Sequence, residues 1–228
     1  IERYIKLLKS EKTKNIEKTA IQEAARALTE PSYWFFVANR SSDAGEILLR
    51  LALDLDPNHD KATIWLGELL ENTKRPSEAL GLYLSVSDKS SYDITAKLSA
   101  ANLYLNQKSD QKALNILQKL NLDKPTAVTQ EALGRAYVIR ENYINALPVY
   151  DGLIHKMTDQ ELNANPQVLY FRGICYERIG KWDEAEADFK KVLSIDPNHA
   201  DALNYLGYTW IEKGKYLSTS LEMIQKAV

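Results

Sequence analysis

The side chains best able to do chemistry are few and scattered. Three histidines (His59, His155, His199) and one cysteine, Cys175, are spread along 228 residues. A zinc site needs His or Cys ligands at short spacing, and neither HExxH nor CxxC occurs. His59 and His199 each end an Asp-Pro-Asn-His turn, and His155 opens the stretch "HKMTDQELNANP". No GxSxG elbow or phosphate-cradling P-loop is present. Cys175 sits among apolar residues, where a thiol is buried and inert rather than a nucleophile. Glu184 and Glu186 suit the positive start of a helix better than the roles of general acid and base. No catalytic constellation, metal site or cofactor is expected, and the chain is not expected to be an enzyme.

Composition says what must hold these residues. Ala, Leu, Glu, Lys and Gln are plentiful, while Gly and Pro number only 9 and 7, which favours helix throughout. A 45% hydrophobic fraction allows a sizeable core. Formal net charge is -2, without the basic balance that advertises a nucleic-acid binder. The local run of basic residues over 1–20 reads as the wet side of a surface helix. One cysteine forbids an internal disulfide and leaves the compartment undetermined. No apolar run approaches the ~20 residues that span a bilayer, so direct membrane insertion is not expected. The chain begins at Ile1, which reads as the start of an excised segment.

The two Asp-Pro-Asn-His turns lie 140 residues apart and announce an internal repeat. A small residue is followed twelve positions later by alanine four times: Gly67 and Ala79, Ala101 and Ala113, Gly134 and Ala146, Gly173 and Ala185. Leu70, Tyr104, Tyr137 and Tyr176 lie three residues after the small residue. Tyr83, Leu117, Tyr150 and Phe189 lie four after the alanine, and Pro57, Pro125 and Pro197 close units. Units starting at Arg26, Asp60, Ile94, Ala127, Pro166 and Ala200 are spaced by 34, 34, 33, 39 and 34 residues. The long spacing holds the stretch from His155 to Pro166, expected either to lengthen a helix or to protrude as a loop. Each unit reads as two amphipathic helices, A and B.

In the fifth unit Gly180 should end helix A, Asp183 should cap helix B, and Pro197 should stop it. Pro148 falls early in a helix B and should kink it mildly. Gly173 and Ala185 are expected where helices A and B approach closely, so Gly173→Leu should cost about 1–3 kcal/mol. In the first unit Tyr33 replaces the small helix-A residue, and Pro31 is expected in the first turn of that helix. Residues 1–25 read as one further, degenerate helical hairpin, with Ile16, Ala20, Ala24 and Ala27 on one face. The last unit inserts one residue and ends with Leu206, Leu221 and Ile224 under-covered, so more repeats are expected beyond Val228.

The repeat resembles the tetratricopeptide repeat, a 34-residue helix–turn–helix unit, over residues 26 to 228. That resemblance implies an all-α fold, a right-handed superhelical α-solenoid whose concave lining comes from helix A. The phrases "LNYLGYTWIEKG" and "LEMIQKAV" are similar to a group of Gram-negative, chiefly alphaproteobacterial, repeat proteins of poorly defined function. Carried onto this chain, the lining comprises Ile64, Glu68 and Asn72; Leu98, Asn102 and Asn106; and Glu131, Arg135 and Val138. It continues with Tyr170, Ile174 and Arg178, then Asn204 and Tyr208. Such a mix suits an extended peptide: Asn pairs with backbone, Arg with carboxylates, and Tyr or Leu with apolar side chains. Repeat domains that clamp the C-terminal carboxylate of heat-shock chaperones use Lys and Asn where this chain has Ile64, Glu68 and Ser99, or Glu30, Trp34 and Trp65. The clamp is absent.

The expected function is a non-catalytic scaffold that binds a protein or extended peptide, within a bacterial multiprotein assembly. The alternative is the recognition arm of a larger enzyme, for example a glycosyltransferase, whose catalytic domain lies outside the segment. RNA binding would need a basic stripe, which Glu68, Glu71, Glu131 and Glu177 interrupt. A homodimer through the uncapped C-terminal end is a further expectation.

Overall fold

Strong helix formers and evenly spaced turn residues produce a chain of helices. The computed structural model describes residues 11–37 and 42–227, without the side chains of 11–16, 36 and 37. Thirteen helices and no strand occur among the described residues. They fall into two compact units, one reaching Gln107 and one starting at Lys108.

The first unit contains α1 (Glu11–Val37), α2 (Ser42–Leu55), α3 (Asp60–Asn72), α4 (Pro76–Ser85) and α5 (Asp93–Asn106). The second contains α6 (Asp110–Asp123), α7 (Ala127–Ile139), α8 (Tyr143–Ile154), α9 (Asp159–Ala164), α10 (Gln167–Arg178), α11 (Trp182–Ile195), α12 (Ala200–Glu212) and α13 (Leu217–Ala227). Within the first unit each helix packs on the next, and α1 also meets α3. The second unit repeats this order, with α8 packed on α10 and α7 also meeting α10. Each unit is thus a short α-solenoid in which the leading helices of neighbouring pairs touch.

The repeated glycines exist because an aromatic ring needs their space. A Cβ on Gly67 would lie 2.5 Å from Tyr83 Cε1, one on Gly134 2.7 Å from Tyr150 Cζ, and one on Gly173 2.8 Å from Phe189 Cε1. In each pair the ring lies sixteen residues after the glycine. At Gly173 the close approach of helices A and B is made by the Phe189 ring, four residues after the buried Ala185. Ala79, Ala113, Ala146 and Ala185 are each fully or almost fully buried, and Leu117 takes the place of the ring in the unit of Ala113.

Turns recur just as strictly. The residue fourteen after each unit start from Asp60 onward is left-handed: Lys74 (φ 62°), Lys108 (φ 55°), Glu141 (φ 55°), Gly180 (φ 80°) and Gly214 (φ 64°). Paired bonds such as Arg75 N to Leu70 O and Lys74 N to Glu71 O satisfy carbonyls at the helix end, and the same pair recurs at Asn142, Lys181 and Lys215. Gly180 ends α10 as expected. Asp183 does not cap α11; that helix starts at Trp182 with Lys181 before it, and Asp183 lies in the first turn. Pro148 lies inside α8, and α11 stops at Ile195, two residues before Pro197.

Residues 1–10 lie outside the described residues, and so does much of the hairpin expected over 1–25. From Glu11 the chain runs as one helix through Val37 and crosses the boundary placed at Arg26. Pro31 is therefore interior to α1 rather than in a first turn. Its missing N–H removes a single rung of a 27-residue helix. The face of α1 turned inward is Ala25, Thr29 and Ser32, whereas Ala20, Ala24 and Ala27 are exposed. These small side chains admit α2, since a Cβ on Gly45 would lie 3.4 Å from the Ser32 carbonyl. Thr29 and Ser32 donate their hydroxyls back to Ala25 and Thr29 carbonyls, so burial leaves neither unpaired.

The inserted stretch neither lengthens α8 nor protrudes. α8 ends at Ile154 and a short α9 follows, started by a capping box. Thr158 N donates to Glu161 Oε2 at 2.8 Å, and Glu161 N donates to Thr158 Oγ1 at 3.3 Å. Met157 and Leu162 then fold back against the buried cluster around Tyr150 and Cys175. Leu206, expected to be under-covered, is buried beside Phe189, Val192 and Trp210, because it faces back toward α11. Leu221 is exposed and Ile224 half-buried.

Candidate partner-binding surface

Packing spends one stripe of every leading helix, and a second stripe, one position on, is left over. In the first unit Glu68 is half-buried, Asn72 is exposed, and Asn102 and Asn106 are exposed on α5, where Leu98 is half-buried. In the second unit Arg135 is exposed and Glu131 and Val138 are half-buried on α7. Arg178 on α10 and Asn204 and Tyr208 on α12 are exposed. Three of the expected lining residues are not available. Ile64 (2% exposed), Tyr170 (7%) and Ile174 (7%) are buried in the cores, the last two in one cluster with Ala202, Leu206 and Trp210 of the next helix pair. Their part is packing.

Several of the remaining groups are already engaged. Asn72 Nδ2 donates to the Glu68 carbonyl at 2.8 Å, and Asn165 Nδ2 donates to Glu131 Oε2 at 2.9 Å. The Arg135 guanidinium sits 6.0 Å from the Phe171 ring centroid. Arg178 pairs with Glu177 at 3.1 Å and is drawn upward in pKa by the Tyr205 hydroxyl and by that carboxylate. Burial raises the Glu177 carboxyl, against the pull of Arg178. Burial first, and the neighbouring Glu71 charge second, push the Glu68 carboxyl up. The leftover stripe is therefore acidic around Glu68 and basic around Arg135 and Arg178.

Sequence reasoning missed an aromatic patch in the first unit. Tyr33 and Trp65 rings lie 5.1 Å apart, Tyr33 and Trp34 6.4 Å apart, and Trp34 is 71% exposed. The signal was present: Trp34 holds the same place in its unit as Glu68, Asn102 and Arg135 do in theirs. The degenerate first unit had been left out of the lining.

The groups suspected of chemistry are accounted for by structure. Cys175 is buried against Tyr150, and burial pushes its thiol up to about 12, far from a reactive thiolate. His199 Nδ1 accepts from Ala202 N at the start of α12, and its Nε2 lies 3.2 Å from Gln167 Oε1. Arg172 is held by both Asp188 oxygens, at 2.8 and 2.7 Å, and reaches Asp151 at 3.1 Å. That ion network pins α8, α10 and α11 together. A polar cleft of about 440 Å3 opens beside the first Asp-Pro-Asn-His turn, lined by Arg26, Glu30, Asp56, His59, Lys61 and Tyr92 among others. His59 Nε2 is buried there without a partner, because the place of Gln167 relative to His199 is taken by Ala27 relative to His59. Among the described residues no group of three or more His, Cys, Asp or Glu could hold a metal ion. Among the same residues no helix is long and apolar enough to cross a membrane.

Comparison with known proteins agrees with this architecture. The tetratricopeptide repeat model matches residues 166–199. The TPR repeat-containing protein PA4667 of Pseudomonas aeruginosa is 28% identical over 171 residues, covering 74% of this chain and 28% of that protein. The chain spans only about a tenth of the length of the other curated relatives it matches, at 10 to 13%. Among solved structures, YrrB, described as a TPR protein with an unusual peptide-binding site, is 27% identical with a TM-score of 0.60, covering 78% of this chain and 90% of that one. A tetratricopeptide repeat protein from Parabacteroides merdae has a TM-score of 0.71 at 22% identity, covering 90% of this chain and 78% of that one, and shows the shared fold. With the repeated glycine–ring pairs and left-handed turns, these matches show a tetratricopeptide repeat at residues 166–199, within a helix-pair fold shared with tetratricopeptide-repeat proteins.

Proposed function

We propose that this chain is a non-catalytic scaffold that binds an extended segment of another protein along its leading helices. The observation supporting this is the division of each leading helix into a stripe consumed by packing and a stripe left in solvent. Gly67, Gly134 and Gly173 are sealed against rings, whereas Asn102, Asn106, Arg135, Asn204 and Tyr208 one or more positions away are exposed. Amide, guanidinium and phenol groups at those places recognise peptide backbone, carboxylates and apolar side chains without any reaction chemistry. The likeness to YrrB, described as having an unusual peptide-binding site, supports the same reading.

We place the scaffold in a bacterial multiprotein assembly, consistent with the Pseudomonas relative. Pairing of two copies through α13 belongs to the same proposal, because Tyr216, Leu217 and Leu221 are 62%, 56% and 56% exposed. The test is affinity purification of the full-length protein from its native cell, wild type against Arg135→Glu with Tyr208→Ala. Loss of a stoichiometric partner in the variant is the expected result. Retention of every partner would remove the leading-helix surface from the function.

A further inference from the structure

The first unit carries a patch that packing does not explain. Trp34 leaves 71% of its surface in water, although an indole is among the most rewarding groups to bury. Its neighbour Tyr33 is 44% exposed, meets the Trp65 ring at 5.1 Å and stands edge-on to Trp34 at 6.4 Å, so Tyr33 links the two indoles. Tyr33, Trp65 and Glu68 also share one crevice, together with Ser32, Leu49 and Leu69. It holds only about 10 Å3, less than a side chain requires, so a visiting group would lie at its mouth.

Charge decides which group fits. Trp65 already receives a cation, since Lys61 Nζ lies 4.4 Å from its ring centroid. That ammonium is tied to Glu30 Oε1 at 2.6 Å and is not shared with Glu68. Glu71 accepts the Tyr83 hydroxyl at 2.6 Å. The half-buried Glu68 carboxylate has no side-chain partner among the described residues, and Glu71 adds a second negative charge close by. A carboxylate without a counter-ion beside exposed aromatic faces is complementary to an alkyl-stemmed cation: the ring faces attract the charge and the stem covers apolar surface.

Building on the scaffold reading, we propose that Tyr33, Trp34, Trp65 and Glu68 hold a lysine or arginine side chain of the bound partner, so that the first unit selects a basic segment. An acidic segment is excluded there by Glu68 and Glu71. Trp34 supplies the outer face and Glu68 the counter-charge; loss of either weakens the cation, and Glu68 carries most of the discrimination against a neutral isostere.

The experiment selects random twelve-residue peptides displayed on phage against the 228-residue protein and against Glu68→Gln. The best peptides are then synthesised with arginine or with neutral citrulline at the conserved basic position. Fluorescence anisotropy should show arginine binding about tenfold tighter than citrulline to the wild type, a difference of about 1.4 kcal/mol. The gap should shrink to about twofold on Glu68→Gln, and Trp34→Ala should weaken the arginine peptide by up to about tenfold. Circular dichroism confirms that each variant keeps the helical spectrum of the wild type, and Trp34→Ala, at an exposed residue, provides a readout even if Glu68→Gln disturbs folding. Selected peptides without basic enrichment, or an arginine preference undiminished in Glu68→Gln, would overturn this assignment and leave the scaffold reading standing. Failure of any peptide to bind would overturn both.

Discussion

The Gly173→Ala substitution tests the physical basis of the repeat, because two opposing effects act at one atom. Alanine in a helix interior is worth about 1 kcal/mol more than glycine, through lower unfolded-state entropy. Against this, the new Cβ would lie 2.8 Å from Phe189 Cε1 and 3.1 Å from Cδ1 and Cζ, well inside ordinary contact. Phe189 cannot move aside cheaply. It is 1% exposed, stacks on Tyr205 at 5.5 Å and meets Tyr170 at 6.1 Å. Overpacking of a rigid core of this kind costs about 1–3 kcal/mol, so the net effect is a loss of up to about 2 kcal/mol. Gly81, with nothing within 4 Å of its added Cβ and inside α4, is the control: Gly81→Ala should gain about 1 kcal/mol. Urea unfolding followed by circular dichroism measures both. Adding Phe189→Leu to Gly173→Ala should recover part of the loss, with a coupling of at least about 0.5 kcal/mol. If Gly173→Ala were as stabilising as Gly81→Ala, the idea that these glycines exist to admit a ring would fail.

Glu141→Gly should stabilise the protein by about 0.5–1 kcal/mol, because Glu141 holds a left-handed φ of 55° that glycine adopts without strain; an unchanged midpoint in urea would argue against strain there. Arg172→Met should cost about 3 kcal/mol by leaving the buried Asp188 carboxylate unpaired, and a melting temperature equal to the wild type would refute the role given to that network. Glu68 has a folded-state pKa raised above 4.5, so its effect on stability is least unfavourable below 4.5 and worsens as pH rises through the folded value. Glu68→Gln should therefore be more stable than wild type at pH 7, with the difference vanishing on acidification; a difference independent of pH would contradict this. Cys175 should resist a thiol-specific disulfide reagent at pH 8 until the chain is unfolded, and rapid labelling of the native protein would show that the thiol is not buried as described.

Much of the architecture could be read along the chain because it rests on short-range rules. The spacing of Gly67, Gly134 and Gly173 to their alanines, the left-handed Gly180 and the stops at Pro57 and Pro197 all act within a few turns of helix. The capping box Thr158 to Glu161 was equally visible, yet the inserted stretch was read as an extension or a loop. What that reading lacked was the destination of Met157 and Leu162, which find apolar cover only when α8 and α10 are in place.

The sequence by itself determined that this protein is a stack of helix pairs, since period, small residues and turn residues each constrain the backbone locally. Tertiary structure alone decided which leading-helix residues meet solvent. Ile64, Tyr170 and Ile174 share places in the repeat with Leu98, Asn204 and Arg135, yet only the first three are buried. Position within a helix sets the direction of a side chain, but its exposure depends on how closely the next pair approaches and how large the covering residues are. The same non-local packing leaves Trp34 in water, and sets Glu68 in a crevice with Tyr33 and Trp65.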